Sequence, residues 1–481
     1  MGSPRQRFRR RLIWWFVIAS AIVVIASGCA PIPSGIGALF VPRFEGGAFE
    51  ANPVAAQTVP QHPFLAANGR NSMHNDAYAS DAYSGPGPLG RNTKVTSALF
   101  GLNECATLTF DRSGRLLGLC GDLAGPRLQL MDPTTLRILA KQGLPGRRFR
   151  AGVSPFEDLC GGAYFYLDRD DRAVVATTDK AIQIFAVTST IERIKTIDLS
   201  SRVPGKDCLL ALMPDWSGRI WFATSAGRVG QVEPETGRAG VVEMPGERIA
   251  NSLAVDETGG VYVVTDHALY RFDSGPRITW RQPYDRGSRR KPGQLSQGSG
   301  TTPTVLGNGL VAITDNAEPQ MHVQSYDRKN GTRTCDVPVF RPGASATENS
   351  LVAVGNAVIV ENNYGYTGPL STLGARETEP GVSKVDLDAC RVEWTSDETA
   401  PSCVAKVSLE TGLLYVYTKR TSAAAWYLTA IDVRTGQTAF RVLTGTGVQW
   451  NNHYAAIALG PDGAAYIATL AGMVRVADSP R

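Results

Sequence analysis

The sequence predicts an all-β protein built from repeated units of four strands. The stretch 247–283 contains four apolar or β-branched runs, and Asp- and Gly-rich turns separate them. Similar patterns recur about every 50 residues along the chain, which is close to the period of a propeller blade. The 50 glycines and the 19% of charged residues are typical of a turn-dense β protein. Together these observations predict a single β-propeller of about eight four-stranded blades, with seven blades as the alternative.

The stretch 247–283 defines one complete blade. Its four strands are expected at residues 251–255, 261–265, 268–272 and 277–280. Such a unit cannot bury both of its faces alone, so it must stack against copies of itself. The other copies contain residues 110–120, 167–187, 213–237, 306–316, 354–363, 409–419 and 459–478.

The last copy is too short to supply all four strands of its blade. Propellers usually complete such a blade with a strand from the amino-terminal side, since closure removes exposed sheet edges. Residues 93–99 are expected to be that strand. The propeller is therefore predicted to span residues 93–481.

Several repeats close with an acidic residue and a Thr-Gly turn, as in YLTAIDVRTGQTAF at 427–440 and VGQVEPETG at 229–237. This repeat resembles that of pyrroloquinoline-quinone-type propellers and of the related gluconolactonase-like and NHL-type propellers, over roughly residues 95–478. The resemblance implies the blade architecture. Quinone enzymes of this type usually carry a vicinal Cys-Cys pair over the cofactor, and the sequence contains no such pair, so no quinone is expected.

The amino terminus has the pattern of an export signal. Five arginines precede an apolar run at 12–26, and Ser27, Gly28 and Cys29 follow. The placement of Cys29 resembles a bacterial lipobox, which implies a lipidated cysteine; an uncleaved single-span anchor and plain secretion are the alternatives. All three place the propeller outside the cytoplasm, at the cell membrane or secreted.

Charge and composition limit the partners. The five arginines before residue 12 account for the whole net charge of +5, so the rest of the chain is neutral and nucleic acid is not expected as a partner. Residues 30–63 are rich in Pro, Gly and Ala, which predicts a flexible tether. Residues 64–92 are irregular but not of low complexity, and we expect them to pack over or beside the mouth of the ring; a wrap around the outer edge of one blade is the alternative.

The cysteines predict disulfides, because an exported chain meets an oxidising compartment. Cys105 and Cys120 lie symmetrically about one hairpin turn, so they are expected to face each other across two strands. Two further pairs occupy similar places in different blades, and Cys403 is left over as an alternative partner of Cys390. The expected disulfides are Cys105–Cys120, Cys160–Cys208 and Cys335–Cys390.

Blade geometry divides the loops between two faces. The turns between the first and second strands and between the third and fourth strands of each blade lie on one face, and they are short. The loops between the second and third strands, together with the connections between blades, lie on the opposite face, which we call the loop-rich face. Polar residues gather there in blades four to six and in the closing connection, and functional residues often lie on loops held by a rigid scaffold. Together with three residues of segment 64–92, the candidate ligand-binding residues are His74, Asn75, Asp76, Asp266, His267, Asp315, Asn316, Glu318, Glu361, Asn362, Asn363, Tyr364, Asn452 and His453.

Several functions fit this pattern. The leading hypothesis is a cell-envelope module that binds a small molecule or a partner protein through the loop-rich face. The alternative is a metal-dependent lactonase or esterase in which Asp315, Glu361 and Asn362 hold Ca²⁺ or another divalent cation, as gluconolactonase-like propellers hold a metal on Glu, Asn and Asp ligands. A purely structural role in turns also explains Asn and Asp residues of this kind.

Overall fold

A computed structural model of the protein describes residues 30–55, 58–122, 125–146, 160 and 164–479. The predicted signal segment, the anchor alternative and the lipidation site Cys29 lie outside the described residues. None of the helices in the described part of the chain has the length and apolar character needed to cross a membrane.

Three strands precede the first blade, and four blades then follow in chain order. The three are β1 (Phe44–Gly46), β2 (Ala82–Tyr83) and β3 (Lys94–Leu99). Blades one and two are β4 (Glu104–Phe110), β5 (Leu116–Asp122), β6 (Gly125–Met131), β7 (Ile138–Gly143), β8 (Phe165–Leu167), β9 (Ala173–Ala176), β10 (Ala181–Val187) and β11 (Ile191–Asp198). Blades three and four are β12 (Leu209–Pro214), β13 (Ile220–Thr224), β14 (Arg228–Val232), β15 (Ala239–Glu243), β16 (Ala254–Val255), β17 (Val261–Val264), β18 (Ala268–Asp273) and β19 (Arg277–Pro283).

Four more blades complete the ring. Blades five and six are β20 (Thr304–Val305), β21 (Leu310–Thr314), β22 (His322–Asp327), β23 (Arg333–Pro338), β24 (Val352–Val354), β25 (Ala357–Glu361), β26 (Val382–Asp386) and β27 (Arg391–Ser396). Blades seven and eight are β28 (Lys406–Ser408), β29 (Leu413–Arg420), β30 (Ala425–Asp432), β31 (Thr438–Thr446), β32 (Ile457–Leu459), β33 (Ala465–Thr469) and β34 (Gly472–Ala477). The strand order in each sheet confirms an all-β propeller of eight blades.

The Asp-rich turns fold as the sequence predicts. In blade four the carboxylate of Asp256 accepts hydrogen bonds from the N–H groups of Thr258 and Gly260, both at 2.9 Å. Asp215 makes the same bonds in blade three. An aspartate that bonds its own backbone stabilises a tight turn, which explains why this residue opens so many of the first-to-second turns.

The ring is closed by the amino-terminal strand that the sequence indicated. Strand β3 pairs antiparallel with β34, with Lys94 opposite Ala477, and forms the outer strand of blade eight. The three expected disulfides are also present, joining Cys105 to Cys120, Cys160 to Cys208 and Cys335 to Cys390. Cys403 is free and buried.

Residues 30–55, within the predicted tether, lie along the ring. Strand β1 pairs with β31 and adds an outer strand to blade seven. Farther along, the N–H of Asn52 bonds the carbonyl of Thr411 at 3.0 Å, and the N–H of Val54 bonds that of Leu409 at 2.9 Å. Backbone bonds to the outer strand β31 and to the β28–β29 turn therefore hold this segment against blade seven.

Residues 62–83 line the inside of the ring, and we call them the axial segment. Their carbonyls accept N–H groups donated by the innermost strands of several blades, at distances of 2.7–3.1 Å. The pairs are Asn71 with Leu167, Ala77 with Val255, Tyr78 with Val305, Ser80 with Ala353, and Asp81 with Val407. The segment therefore packs on the propeller from within.

A buried ion network fixes the axial segment to the ring. Asp81 is 0% exposed, and its carboxylate accepts bonds from the ammonium of Lys406 and from Ser350 Oγ. His74 Nδ1 lies 3.1 Å from the same carboxylate, and its Nε2 lies 3.3 Å from Thr302 Oγ1. Burial alone would raise the pKa of Asp81, but the neighbouring Lys406 and His74 bring it below the ordinary value.

We expect Lys406→Met to destabilise the protein by about 3–5 kcal/mol, because the buried Asp81 carboxylate then loses its ion pair with the Lys406 ammonium. The double variant Asp81→Asn/Lys406→Met removes both charges and should recover part of that loss. Chemical denaturation of the full set measures the coupling. Lys195→Met, which breaks the exposed pair with Glu235, is the matched control; an equal loss in Lys195→Met and Lys406→Met would contradict the anchoring role.

Candidate functional site

An open cleft of about 880 Å³ lies on the loop-rich face. Three loops form its walls: the connection from blade four to blade five, the β25–β26 loop of blade six, and the connection from blade seven to blade eight. The side chains and backbone that line it come from Arg289, Arg290, Lys291, Pro292, Gly293, Gln294, Leu295, Tyr366, Thr367, Gly368, Pro369, Leu370, Ser371, Arg376, Glu377, His453 and Tyr454. Its volume is in the range of small-molecule sites.

The three loops interlock through hydrogen bonds. The hydroxyl of Tyr454 donates to the carbonyl of Gly293 at 3.1 Å, which joins the first loop to the third. The hydroxyl of Tyr366 donates to Asn451 Oδ1 at 2.8 Å and lies 3.0 Å from His453 Nδ1, which joins the second loop to the third. The N–H of Gly365 bonds the carbonyl of Pro292 at 3.1 Å. The walls of the cleft are therefore braced against one another.

Gly293 is required where two of these loops meet. Its φ is +106°, and a Cβ there would lie 2.2 Å from the carbonyl oxygen of Asn363. A side chain would therefore clash with backbone and would also be strained in the left-handed region. The close approach of the first and second loops depends on this glycine.

The cleft is lined by cations. Arg289, Arg290 and Arg376 are exposed, and Lys291 is buried, with its ammonium 2.6 Å from the carbonyl of Ala317. Glu377 is the acidic residue on the same lining, and Arg289 Nε lies 3.5 Å from the carboxylate of Glu318 outside it. Burial lowers the pKa of Lys291, and the nearby acids Asp315 and Glu318 counteract that effect.

The predicted site residues do not include this basic lining. His453 is the one predicted residue on it; the other predicted residues are acids, amides, histidines and a tyrosine, and the six-residue run RGSRRK at 286–291 is not among them. That run was the available signal, because the chain beyond residue 11 is neutral and four of these six residues are basic. The contribution of Arg376, Tyr366 and Tyr454 depends on how loops of different blades meet, which the repeat pattern does not specify.

The predicted asparagines brace the loops. Asn316 Nδ2 donates to the carbonyls of Arg286 and Arg289 at 2.9 and 3.0 Å, so it positions the basic run. Asn362 Nδ2 donates to two carbonyls, and Asn363 Oδ1 accepts the N–H of Glu348. Asn452 Nδ2 bonds the carbonyl of Ala455. Tyr364 is half-buried beside them.

The remaining predicted residues fall into separate groups. Asp266 accepts the N–H of Arg248 and contacts His267 at 2.8 Å in a turn of blade four, while Glu318 accepts two bonds from Ser288. In the axial segment, Asp76 accepts bonds from Ser80, and burial raises the pKa of its carboxyl to about 7. Asn75 is fully buried with both side-chain polar atoms unpaired.

Asp315 and Glu361 have different neighbours. Asp315 lies 3.3 Å from His322 Nδ1, which also lies 3.1 Å from Asp336, and the ligating atoms of these three residues are all within 4.8 Å of one another. Glu361 instead accepts from Asn349 Nδ2 at 3.1 Å and lies 3.6 Å from Cys403 Sγ. In the described part of the chain, no hydrogen bond joins Asp315 to Glu361 or to Asn362.

Two buried glutamates lie beneath the loop-rich face. Glu348 Oε2 accepts the N–H of Leu295 at 2.9 Å and so supports the wall of the cleft that carries the basic run. Burial raises the pKa of both Glu348 and Glu361 to about 8. Burial therefore favours the protonated form of both carboxyl groups in the folded chain, relative to the unfolded chain.

The difference in the pKa of Glu361 between the folded and the unfolded chain predicts that stability depends on pH. Burial raises the pKa of Glu361 to about 8 in the folded chain, so the folded chain binds this proton more tightly than the unfolded chain does. The resulting stabilisation is complete below the ordinary glutamate pKa and is lost as the pH rises from about 4.5 to about 8. We expect the melting temperature of the Glu361→Gln variant to fall less over this window than that of the wild type, since glutamine mimics the protonated acid. Thermal melts at several pH values measure this; the exposed Glu50→Gln is the control, and parallel wild-type and Glu361→Gln profiles would contradict the raised pKa.

Comparison with known proteins supports the fold. No family model matches the chain. An uncharacterized protein of Archaeoglobus fulgidus is 30% identical over 336 residues, which is 60% of this chain and 65% of that protein. The match thus spans less than two thirds of that relative's length.

Solved structures share the propeller architecture. The quinohemoprotein alcohol dehydrogenase of Comamonas testosteroni matches with a TM-score of 0.59 at 11% identity, over 88% of this chain and 82% of that one. BamB of Moraxella catarrhalis matches with a TM-score of 0.46 at 12% identity, over 82% and 96%, and a streptogramin B lyase with 0.44 at 10%, over 80% and 97%. The similarity to the quinohemoprotein alcohol dehydrogenase confirms, at the level of the fold, the expected resemblance to quinone-type propellers.

Proposed function

We propose that this protein is a binding module of the cell envelope that takes an anionic ligand into the cleft of the loop-rich face. The observation that carries the proposal is the lining of an open cleft of about 880 Å³ by Arg289, Arg290, Lys291 and Arg376. A set of cations around one concave surface favours carboxylate or phosphate groups, and arginine can bind either through two parallel hydrogen bonds.

The aromatic side chains of the cleft refine the ligand class. Tyr366 and Tyr454 contact each other edge to face at 5.3 Å between ring centroids, and His453 lies beside both. Such rings offer apolar faces together with polar edges. A carboxylated sugar or a similar small acid, as a free molecule or as part of a larger partner, fits this combination of cations and rings.

The location outside the cytoplasm is supported by the covalent structure. Three disulfides join residues within or between neighbouring blades, and such bonds persist in oxidising compartments. Attachment to the membrane through Cys29, or through an uncleaved apolar segment, is the form of this location that we propose. Either form would keep the cleft at the cell surface.

The cleft can be tested with trigalacturonate as an acidic probe and maltotriose as a neutral one. We expect calorimetry to detect binding of the acidic probe alone. The double variant Arg289→Gln/Arg376→Gln should weaken that binding by at least roughly tenfold, because each charge-assisted hydrogen bond contributes about 1.5–3 kcal/mol. Arg137→Gln/Arg193→Gln, at exposed arginines in other blades, is the matched control. Equal binding of both probes, or equal loss in both double variants, would overturn the proposal.

A metal-dependent hydrolase is the second candidate, and one cluster favours it. Asp315, His322 and Asp336 bring one nitrogen and two carboxylates within 4.8 Å of one another. However, the hydrogen bond to Asp315 raises the pKa of His322. A raised pKa favours a protonated His322 that pairs with the carboxylates, whereas a metal ligand must be a neutral imidazole. The geometry therefore supports this candidate less than it supports the binding module.

Metal content separates the two candidates. The hydrolase candidate requires a stoichiometric divalent ion in the purified protein, a lower melting temperature after chelation, and loss of the ion in the His322→Gln variant. We expect instead no response to the chelator, because His322 already contacts both carboxylates. Elemental mass spectrometry with a melting curve measures both quantities, and a bound ion that His322→Gln removes would place the hydrolase first.

A further inference from the structure

Five large apolar side chains are exposed in two groups, one of which includes Leu370 at the cleft, and we call them the apolar rim. Ile36, Leu39 and Phe40 are 80%, 77% and 78% exposed, and Leu370 and Leu373 are 67% and 41% exposed. They lie on or next to two short 3-10 helices, Ile36–Leu39 and Pro369–Thr372. Neighbouring large apolar side chains that are exposed on a folded protein often mark an interaction surface.

The two parts of the rim rest on the same loops of blade seven. On one side, the carbonyl of Ser34 accepts the N–H of Thr446 at 2.9 Å, and the helix Ile36–Leu39 packs on the loop that contains Ala423. On the other side, Asn451 Nδ2 donates to Thr372 Oγ1 at 2.9 Å, and Lys419 Nζ donates to the carbonyl of Arg376 at 2.7 Å. Both parts therefore belong to the loop-rich face.

Exposed arginines alternate with the rim. Arg43 follows Phe40, Arg376 follows Leu373, and Arg420 precedes the loop on which the first helix packs. The exposed Arg289 and Arg290 of the cleft extend the same surface. Apolar side chains that enter the acyl boundary and cations that meet anionic headgroups are the two features by which proteins lie on a bilayer.

The position of the amino-terminal segment brings this surface to a membrane. The carbonyl of Ala30 accepts the N–H of Leu99 at 2.8 Å, so the chain enters the ring at the outer strand of blade eight. Three residues, 27–29, link Ala26, the last residue of the apolar run, to Ala30, and the four steps from Ala26 to Ala30 span at most about 14 Å. From Ala30 to Ile36 the chain spans at most about 21 Å.

We propose that the apolar rim and its arginines dock on an anionic lipid bilayer, so that the loop-rich face lies against the membrane that holds the amino-terminal segment. The inference rests on the proposed membrane attachment, and it deepens the proposed function, because the cleft then opens toward acidic groups at the membrane surface. The lipid surface is the partner that fits the apolar side chains, the arginines and the short link together.

The test separates docking from anchoring. A protease recognition site is inserted immediately before Ala30 in the full chain, and the protein is reconstituted in vesicles of phosphatidylcholine or of phosphatidylcholine mixed with phosphatidylglycerol. After cleavage, the propeller that floats with the vesicles is measured. We expect it to stay on the anionic vesicles and to leave the neutral ones. Release from both kinds of vesicle would overturn the inference.

Matched variants locate the docking surface. Ile36→Ser/Leu39→Ser/Phe40→Ser should lower the retained fraction by roughly tenfold or more, because each buried apolar side chain contributes to bilayer affinity. Leu139→Ser/Ile194→Ser/Ile278→Ser changes three exposed apolar residues on outer strands of other blades, and it should have no effect. Equal loss in both triple variants would overturn the assignment to the rim.

The outcome is independent of the trigalacturonate titration. Binding of that probe together with release from anionic vesicles would overturn membrane docking and leave the anion-binding cleft in place. Retention on anionic vesicles without binding of the probe would overturn the proposed acid ligand and support docking.

Discussion

The structure depends on how the innermost strands satisfy their backbone. Each blade presents one strand edge to the axis, and a buried N–H without a partner costs about 1–3 kcal/mol. The axial segment supplies carbonyls to Leu167, Val255, Val305, Ala353 and Val407, which belong to five different blades. Two side chains of the axial segment, His74 and Asp81, contact each other, and Asp81 is bound by Lys406 of blade seven. The described chain thus forms a ring around its own amino-terminal segment, and ligands would reach it from the faces.

This filled axis explains the form of the candidate site. The axial segment occupies the centre, and the cleft of about 880 Å³ lies among the loops, where Gly293, Tyr366 and Tyr454 bring three connections into contact. Asn316 holds the basic run from one side, and Glu348 supports Leu295 from below. A braced wall loses little conformational freedom when a ligand binds, so the arginines at its edge can contribute affinity at small entropic cost.

Repetition made the fold predictable, and its absence made the site difficult to predict. The eight blades, the closing strand and the three disulfides follow from turn chemistry and strand spacing, which repeat and are local. The cleft comes from loops of different lengths in blades four to eight, and their meeting depends on contacts between residues such as Gly365 and Pro292. Asparagines that resembled ligands bond backbone carbonyls, because long loops need such partners for their polar groups. The path of residues 62–83 through the ring likewise left no periodic signal.

The course of the amino-terminal chain also constrains the order of folding. Leu89 bonds Asp478, 389 residues away, and β3 finds its partner only in the last strand, β34. Residues 62–83 must meanwhile meet inner strands from blades two to seven. The part of the protein that is synthesised first is therefore completed last, and contacts of such high sequence separation form slowly. Until β3 pairs with β34, the outer edge of blade eight is open, and an unpaired strand edge favours aggregation.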